Sequence, residues 1–134
     1  MEKNTGKTAE FAGMDKLDII FDMQQKLNAD ITVRRNLEGF TREEWLQKQT
    51  LAMLSELSEL LDEVNFKWWK NPKPIDNAAI KEELIDILHF YVSMCLTAGL
   101  TSDEVLEIYL AKNRENFERQ QGKSQKEGYD AAKR

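Results

Sequence analysis

Glu56 and Glu59 stand three residues apart, and so do Glu83 and Asp86. On a helix that spacing brings two side chains to one neighbourhood. Unpaired carboxylates taken out of water cost several kcal/mol apiece unless they are protonated, paired or metal-bound. If the segments carrying the two pairs pack antiparallel, four acids converge. A hard divalent cation with oxygen ligands is the natural remedy for their repulsion. The competing reading is an ordinary solvated face. On a helical projection Glu56 lies at the margin of its helix's apolar stripe and Glu59 on the polar side, and charged residues mostly stay in water.

The segment around Glu83 argues against that plain reading. Leu84, Ile85, Ile87, Leu88, Phe90, Tyr91, Val92, Met94, Cys95 and Leu96 cover most of the circumference at 100° steps. A helix apolar nearly all round is a central one. His89 lies beside this helix, and a lone histidine there is more often a hydrogen-bonded core residue than a ligand, since Mg²⁺ prefers oxygen. The chain holds no Ser/His/Asp set, no Cys/His cluster and no Gly-rich phosphate loop. Gly6-Lys7-Thr8 lacks the glycine and the preceding strand that a P-loop needs.

Further polar residues fall at helical spacing. Gln24 and Asn28 are i, i+4 in QQKLN, a good helix-surface composition, and each side-chain amide carries both a donor and an acceptor. Lys112, Asn116 and Arg119 form an i, i+4, i+7 stripe, which read by itself is a solvated basic face. FKWWK at 66–70 sets two tryptophans between lysines. Adjacent side chains on a helix point about 100° apart, so both rings do not easily enter one core. One ring then suits the core or a subunit contact and the other an exposed stacking platform.

The elements that must position these residues are helical. A first helix is expected over about 14–30, carrying Leu17, Ile20, Phe21, Leu27 and Ile31. Thr41-Arg42-Glu43-Glu44 has the pattern of a capping box opening a second, which NPKP at 71–74 should stop. A third is expected from about Asn77 to Ala98, with Gly99 after it, and Thr101-Ser102-Asp103-Glu104 opens a fourth. The fold class is therefore all-α, a helical bundle of about four main helices. Residues 1–13 read as a flexible head, 14–121 as the domain and 122–134 as a polar tail.

The chain has 134 residues, enough for one domain, with 41% hydrophobic and 32% charged residues. One cysteine excludes an intramolecular disulfide. A net charge of −5 speaks against a protein that grips nucleic-acid polymers by bulk charge, though not against local binding of a small phosphate compound. No run is long and apolar enough to span a bilayer, and MEKNTGKTAEFAG has no apolar leader core. The expectation is a cytoplasmic protein without a membrane partner.

The pattern Glu56-x-x-Glu59 followed after a break by Glu83-x-x-Asp86 resembles the all-α NTP pyrophosphohydrolase superfamily, which includes the MazG-like enzymes and the dimeric dUTPases. Met23-Gln24-Gln25-Lys26-Leu27-Asn28, FKWWK and KNRENFERQ at 112–120 are similar to segments of the dimeric dUTPase branch. The resemblance implies a homodimeric, Mg²⁺-dependent enzyme that converts dUTP, and dUDP, to dUMP. It implies Glu56, Glu59, Glu83 and Asp86 as ligands of two or three Mg²⁺ ions, with Glu56 orienting or deprotonating the attacking water. Trp69, Gln24 and Asn28 would meet uracil, which leaves Trp68 for the core or a subunit contact, and Lys70, Lys112, Asn116 and Arg119 would meet the phosphates. One departure is clear. Relatives follow the Arg-Gln of the last motif with Gly-Tyr, whereas here Arg119-Gln120 precedes Gln121-Gly122-Lys123, and the nearby tyrosine is Tyr129. Related specificities, dCTP or a broad nucleotide set, and a non-catalytic helical interaction module are the alternatives.

Overall fold

The computed structural model describes residues 9–129; the head expected at 1–13 and the tail at 122–134 lie partly outside them. Within them are a short 3₁₀ turn, Ala9–Phe11, and four helices: α1 Lys16–Arg34, α2 Arg42–Glu63, α3 Asn77–Thr97 and α4 Ser102–Gln120. No strand occurs among the described residues, so the all-α expectation holds. Contacts divide the chain into two compact units at the Gly99–Leu100 step.

In the first unit α3 packs against both α2 and α1. That central role follows from its composition, and Val92, Ser93 and Cys95 on it are buried. Its apolar girdle is not wholly enclosed, however. Leu84, Ile85 and Tyr91 remain about half exposed, because two neighbouring helices cannot cover a full circumference. The second unit is built on α4.

Each helix start has a local cause. Thr41 Oγ1 accepts from the Glu44 amide at 3.1 Å, and Thr101 Oγ1 from the Glu104 amide at 3.1 Å. These are the forward halves of the expected boxes. The fully reciprocal box is at α1, where Asp15 and Asp18 each accept the other's backbone amide, at 2.9 and 3.1 Å. Phe40 packs edge-on against Trp45 at 5.4 Å, stapling the residue before the Thr41 cap to the first turn of α2.

The helix stops differ more from expectation. Gly99, φ 83°, ends α3 as anticipated. Helix α2 ends at Glu63, well before Pro72, so FKWWK is not helical. Asn65 adopts φ 55°, and the Phe66 amide reaches back to the Leu61 carbonyl at 3.4 Å, as in a Schellman stop. Asn36, φ 54°, ends α1 similarly, with the Leu37 amide on the Thr32 carbonyl at 2.9 Å. Asparagine tolerates the left-handed region better than other residues with a Cβ. Asn65 also brackets the backbone of Lys73, its Oδ1 accepting from N and its Nδ2 donating to O, both at 2.9 Å. One side chain thus stops the helix and aims the connection to α3.

Replacing Asn65 by alanine should destabilise the protein by about 1–3 kcal/mol in urea unfolding, while glycine should recover the backbone share of that loss. An alanine variant within about 0.5 kcal/mol of the parent would contradict this role.

Candidate functional site

The antiparallel contact of α2 and α3 brings the acids of both helices together. One carboxylate oxygen each from Glu56, Glu59 and Glu83 lies within 4.8 Å of the others. Glu56 and Glu83 are half-buried and Glu59 is exposed. Asp86, the fourth expected ligand, is exposed and outside that tight trio, yet close enough to disfavour ionisation of Glu56 and Glu83.

The electrostatics express crowding without compensation. Glu83 is pushed up to about 7, first by loss of hydration and then by repulsion from Glu59, Glu56 and Asp86. Glu56 is raised by lost hydration and by Glu59 and Asp86, against a smaller opposing contribution from Glu83. Neither acid forms an ion pair among the described residues. The Oε2 atoms of Glu56 and Glu83 are buried and accept no hydrogen bond. Buried acceptors are rarely left so. Several oxygen ligands without donors suit a hard cation such as Mg²⁺, which would be held by Glu56, Glu59 and Glu83 with Asp86 at the margin.

Gln24 and Asn28 are not a helix surface. Gln24 is buried on α1 and joins a chain of hydrogen bonds to α3. His89 Nδ1 pairs with Gln24 Oε1, which as an amide oxygen requires the proton on Nδ1. Gln24 Nε2 donates to Asn28 Oδ1 at 2.9 Å, and Asn28 Nδ2 to Ser93 Oγ at 3.0 Å. Ser93 in turn donates to the His89 carbonyl at 2.8 Å. His89 is therefore a hydrogen-bonded partner of Gln24. Ser93 carried no sequence signal, since its contact crosses 65 positions.

Beside this chain, α1, α2 and α3 line an open cavity of about 320 Å³, with Asn28, Trp45, Gln49, Phe90 and Ser93 among its lining residues. Gln49 Oε1 is buried and accepts no hydrogen bond.

Trp69 is 60% exposed and packs edge-on against Trp68 at 4.7 Å and Phe66 at 6.0 Å. Trp68, at 83% exposure, lies in no core among the described residues, since it sits in a turn after the Asn65 stop and meets the edge of Trp69. Lys70 lines a pocket with Asp62, Lys67 and Lys73, of which Lys67 pairs with Asp62 at 3.7 Å and Lys73 with Glu63 at 3.1 Å. On α4, Lys112 and Asn116 are exposed. Arg119 pairs with Glu115 at 3.0 Å, donates to Asn116 at 3.2 Å and lies 5.6 Å from the ring centre of Tyr129.

The raised Glu83 fixes a sign. The folded state holds that proton more tightly than the unfolded chain, so its contribution is fully present below about pH 4.5 and lost as pH rises through about 7. The melting temperature of metal-free protein should fall across that window. Mg²⁺ should raise it more at pH 8 than at pH 5, and Glu83→Gln should flatten the dependence. A flat profile in the parent would contradict the clustering.

The model of the family described as dUTPase matches residues 16–104, which span α1 to the start of α4 and include both acidic pairs. Among curated proteins, the dCTP pyrophosphatase of Enterobacteria phage T4 is 33% identical over 87 residues, covering 54% of this chain and 51% of that protein. The dCTP pyrophosphatase of Enterobacteria phage LZ5 is 32% identical over 74 residues, covering 55% and 43%. A DNA replication protein of phage T4 is 30% identical over 81 residues, covering 50% and 21%. The chain thus spans about half the length of the pyrophosphatases it matches. No solved structure matches it. With the family match covering most of the chain and both acidic pairs, the protein belongs to the all-α dUTPase family.

Proposed function

We propose that the chain is a Mg²⁺-dependent pyrophosphohydrolase of pyrimidine deoxynucleoside triphosphates, releasing the monophosphate and pyrophosphate. The observation that carries this is the trio Glu56, Glu59 and Glu83, with buried oxygens lacking donors on two of its members. When bound, Mg²⁺ would offset the charge of the phosphate chain and acidify the attacking water. Glu56 is the proposed base: its Oε2 has no donor and sits where lost hydration raises proton affinity, so it can accept a proton from water. Glu59, Glu83 and Asp86 complete the ligand set. Lys70, Lys112, Asn116 and Arg119 are assigned to the phosphates, where cations stabilise charge developing on the leaving group.

Two bases are in play. The family description and the sequence motifs favour dUTP, the motif resemblance adds dUDP, which would release phosphate, and the curated relatives carry the name dCTP pyrophosphatase. The base has two candidate seats: the exposed ring of Trp69, and the cavity by the Gln24–Asn28 chain.

A homodimer is part of the proposal. Ile20, Met23, Leu27 and Ile31 on α1, and Leu51, Leu54, Leu57 and Leu61 on α2, form exposed apolar stripes of the kind a subunit contact buries. Sedimentation should give twice the chain mass. A monomer at micromolar concentration would remove this part alone.

Pyrophosphate release should be seen from dUTP or dCTP with Mg²⁺ and should vanish with chelator. Glu83→Gln should lower kcat/KM by about 10²-fold or more while the protein stays folded. Release from no nucleotide, or an undiminished rate in the Glu83→Gln variant, would overturn the proposal.

A further inference from the structure

Lys73 stands between Pro72 and Pro74, and Asn65 holds its backbone on both sides, Oδ1 accepting from N and Nδ2 donating to O at 2.9 Å each. Each proline fixes its own φ and restricts the residue before it, so the freedom left to Lys73 lies in its stem. The ammonium lies 3.1 Å from Glu63 Oε1. Glu63 follows Glu59 by four residues and Glu56 by seven, and the three share one face of α2. Along the helix Glu63 lies about 6 Å beyond Glu59, at 1.5 Å per residue. The row of acids that begins without a cation at Glu56 therefore ends on a firmly mounted one.

The surroundings of that ammonium favour an anion. Lys73 lines an open pocket of about 340 Å³ with Asp62, Phe66, Lys67, Lys70 and Asn71 among others. An ammonium has three donors, and Lys73 gives one to Glu63. Lys67 meets Asp62 only at 3.7 Å, with both side chains about half exposed, and a pair of that kind is weak enough for a bound anion to compete. The Lys70 ammonium forms no ion pair among the described residues. Three ammoniums thus face two carboxylates, Asp62 and Glu63, in a chain whose net charge is −5. Toward the other end of the α2–α3 contact, the cavity beside Gln49 and Phe90 has no charged side chain among its described lining residues. The local field therefore draws a phosphate chain from the acids toward the lysines.

We propose that the lysine pocket receives the pyrophosphate leaving group, and that Lys73 is a specificity-determining residue favouring a triphosphate over a diphosphate. This rests on the pyrophosphohydrolase reading and extends it to the length of the phosphate chain. In that reaction the oxygen of water bonds to the α-phosphorus and Glu56 takes the proton. The bond from that phosphorus to its bridging oxygen breaks, and pyrophosphate departs with the electron pair. With the α-phosphorus at the acids, the two departing phosphates extend one helical turn to the lysines. Ammonium donors placed there stabilise the charge that grows on them. A diphosphate releases orthophosphate, one phosphoryl group shorter, and forgoes the contact with Lys73.

The test compares kcat/KM, with Mg²⁺, for dUTP against dUDP and for dCTP against dCDP, in the unsubstituted protein and in Lys73→Met, which keeps the stem and loses the ammonium. For the base it accepts, the unsubstituted protein should prefer the triphosphate by about tenfold or more. Lys73→Met should lower the triphosphate value about 10–100-fold, leave the diphosphate within about threefold, and weaken inhibition by inorganic pyrophosphate about tenfold. Lys73→Arg, which keeps the charge, should hold that inhibition within about threefold. Equal values for triphosphate and diphosphate in the unsubstituted protein, an equal fall for both in Lys73→Met, or unchanged pyrophosphate inhibition in that variant would overturn the inference alone. If Lys73→Met fails to fold, the triphosphate-to-diphosphate comparison in the unsubstituted protein still decides. Turnover of no nucleotide would instead overturn the pyrophosphohydrolase reading.

Discussion

Helices α2 and α3 can pack against each other only by pressing carboxylates together. Glu56, Glu59 and Glu83 meet within 4.8 Å, and no cation among the described residues is paired with Glu56 or Glu83. Repulsion of this kind is relieved by protonation, which the raised Glu83 records, or by an external cation. The rest of the first unit serves this contact. Asn65 stops α2 and anchors Lys73, setting where α3 begins, and the Thr41 cap with the Phe40–Trp45 staple fixes the opposite end. Apolar residues on both helices supply the burial against which the acids are held.

Helix α1 enters through a different interaction. The chain from His89 through Gln24 and Asn28 to Ser93 ties it to α3 with directional bonds. Such a satisfied network fixes the placement of two helices more sharply than apolar contact does. Repulsion marks one end of the α2–α3 groove and a hydrogen-bonded cluster the other, so its two halves differ chemically.

Much of this was legible in the sequence. The i, i+3 acid pairs, the apolar circumference of α3 and the Gly99 stop are local patterns, and each is where expected. Three features were not. The early end of α2 was hidden because Pro72 is a louder breaker than Asn65, although asparagine is the usual second choice after glycine at a left-handed stop. Trp68 was offered a place in the core on the premise of a helical FKWWK, and the earlier stop removes that premise. The contacts of Gln24 with His89 and Asn28 with Ser93 cross 65 positions. Periodicity reports which face a residue occupies, not which partner it meets. The family match was foreseen from the motifs, and the curated relatives carry the name of the dCTP alternative that the sequence reading kept open.

Counting the protons displaced when Mg²⁺ is titrated into the protein near pH 7, by calorimetry in buffers of different ionisation heat, tests the acid cluster most directly. Competition between proton and cation for Glu83 predicts saturable uptake with a fractional proton released near pH 7 and almost none at pH 9. Saturable binding without proton release, or no uptake at either pH, would contradict it.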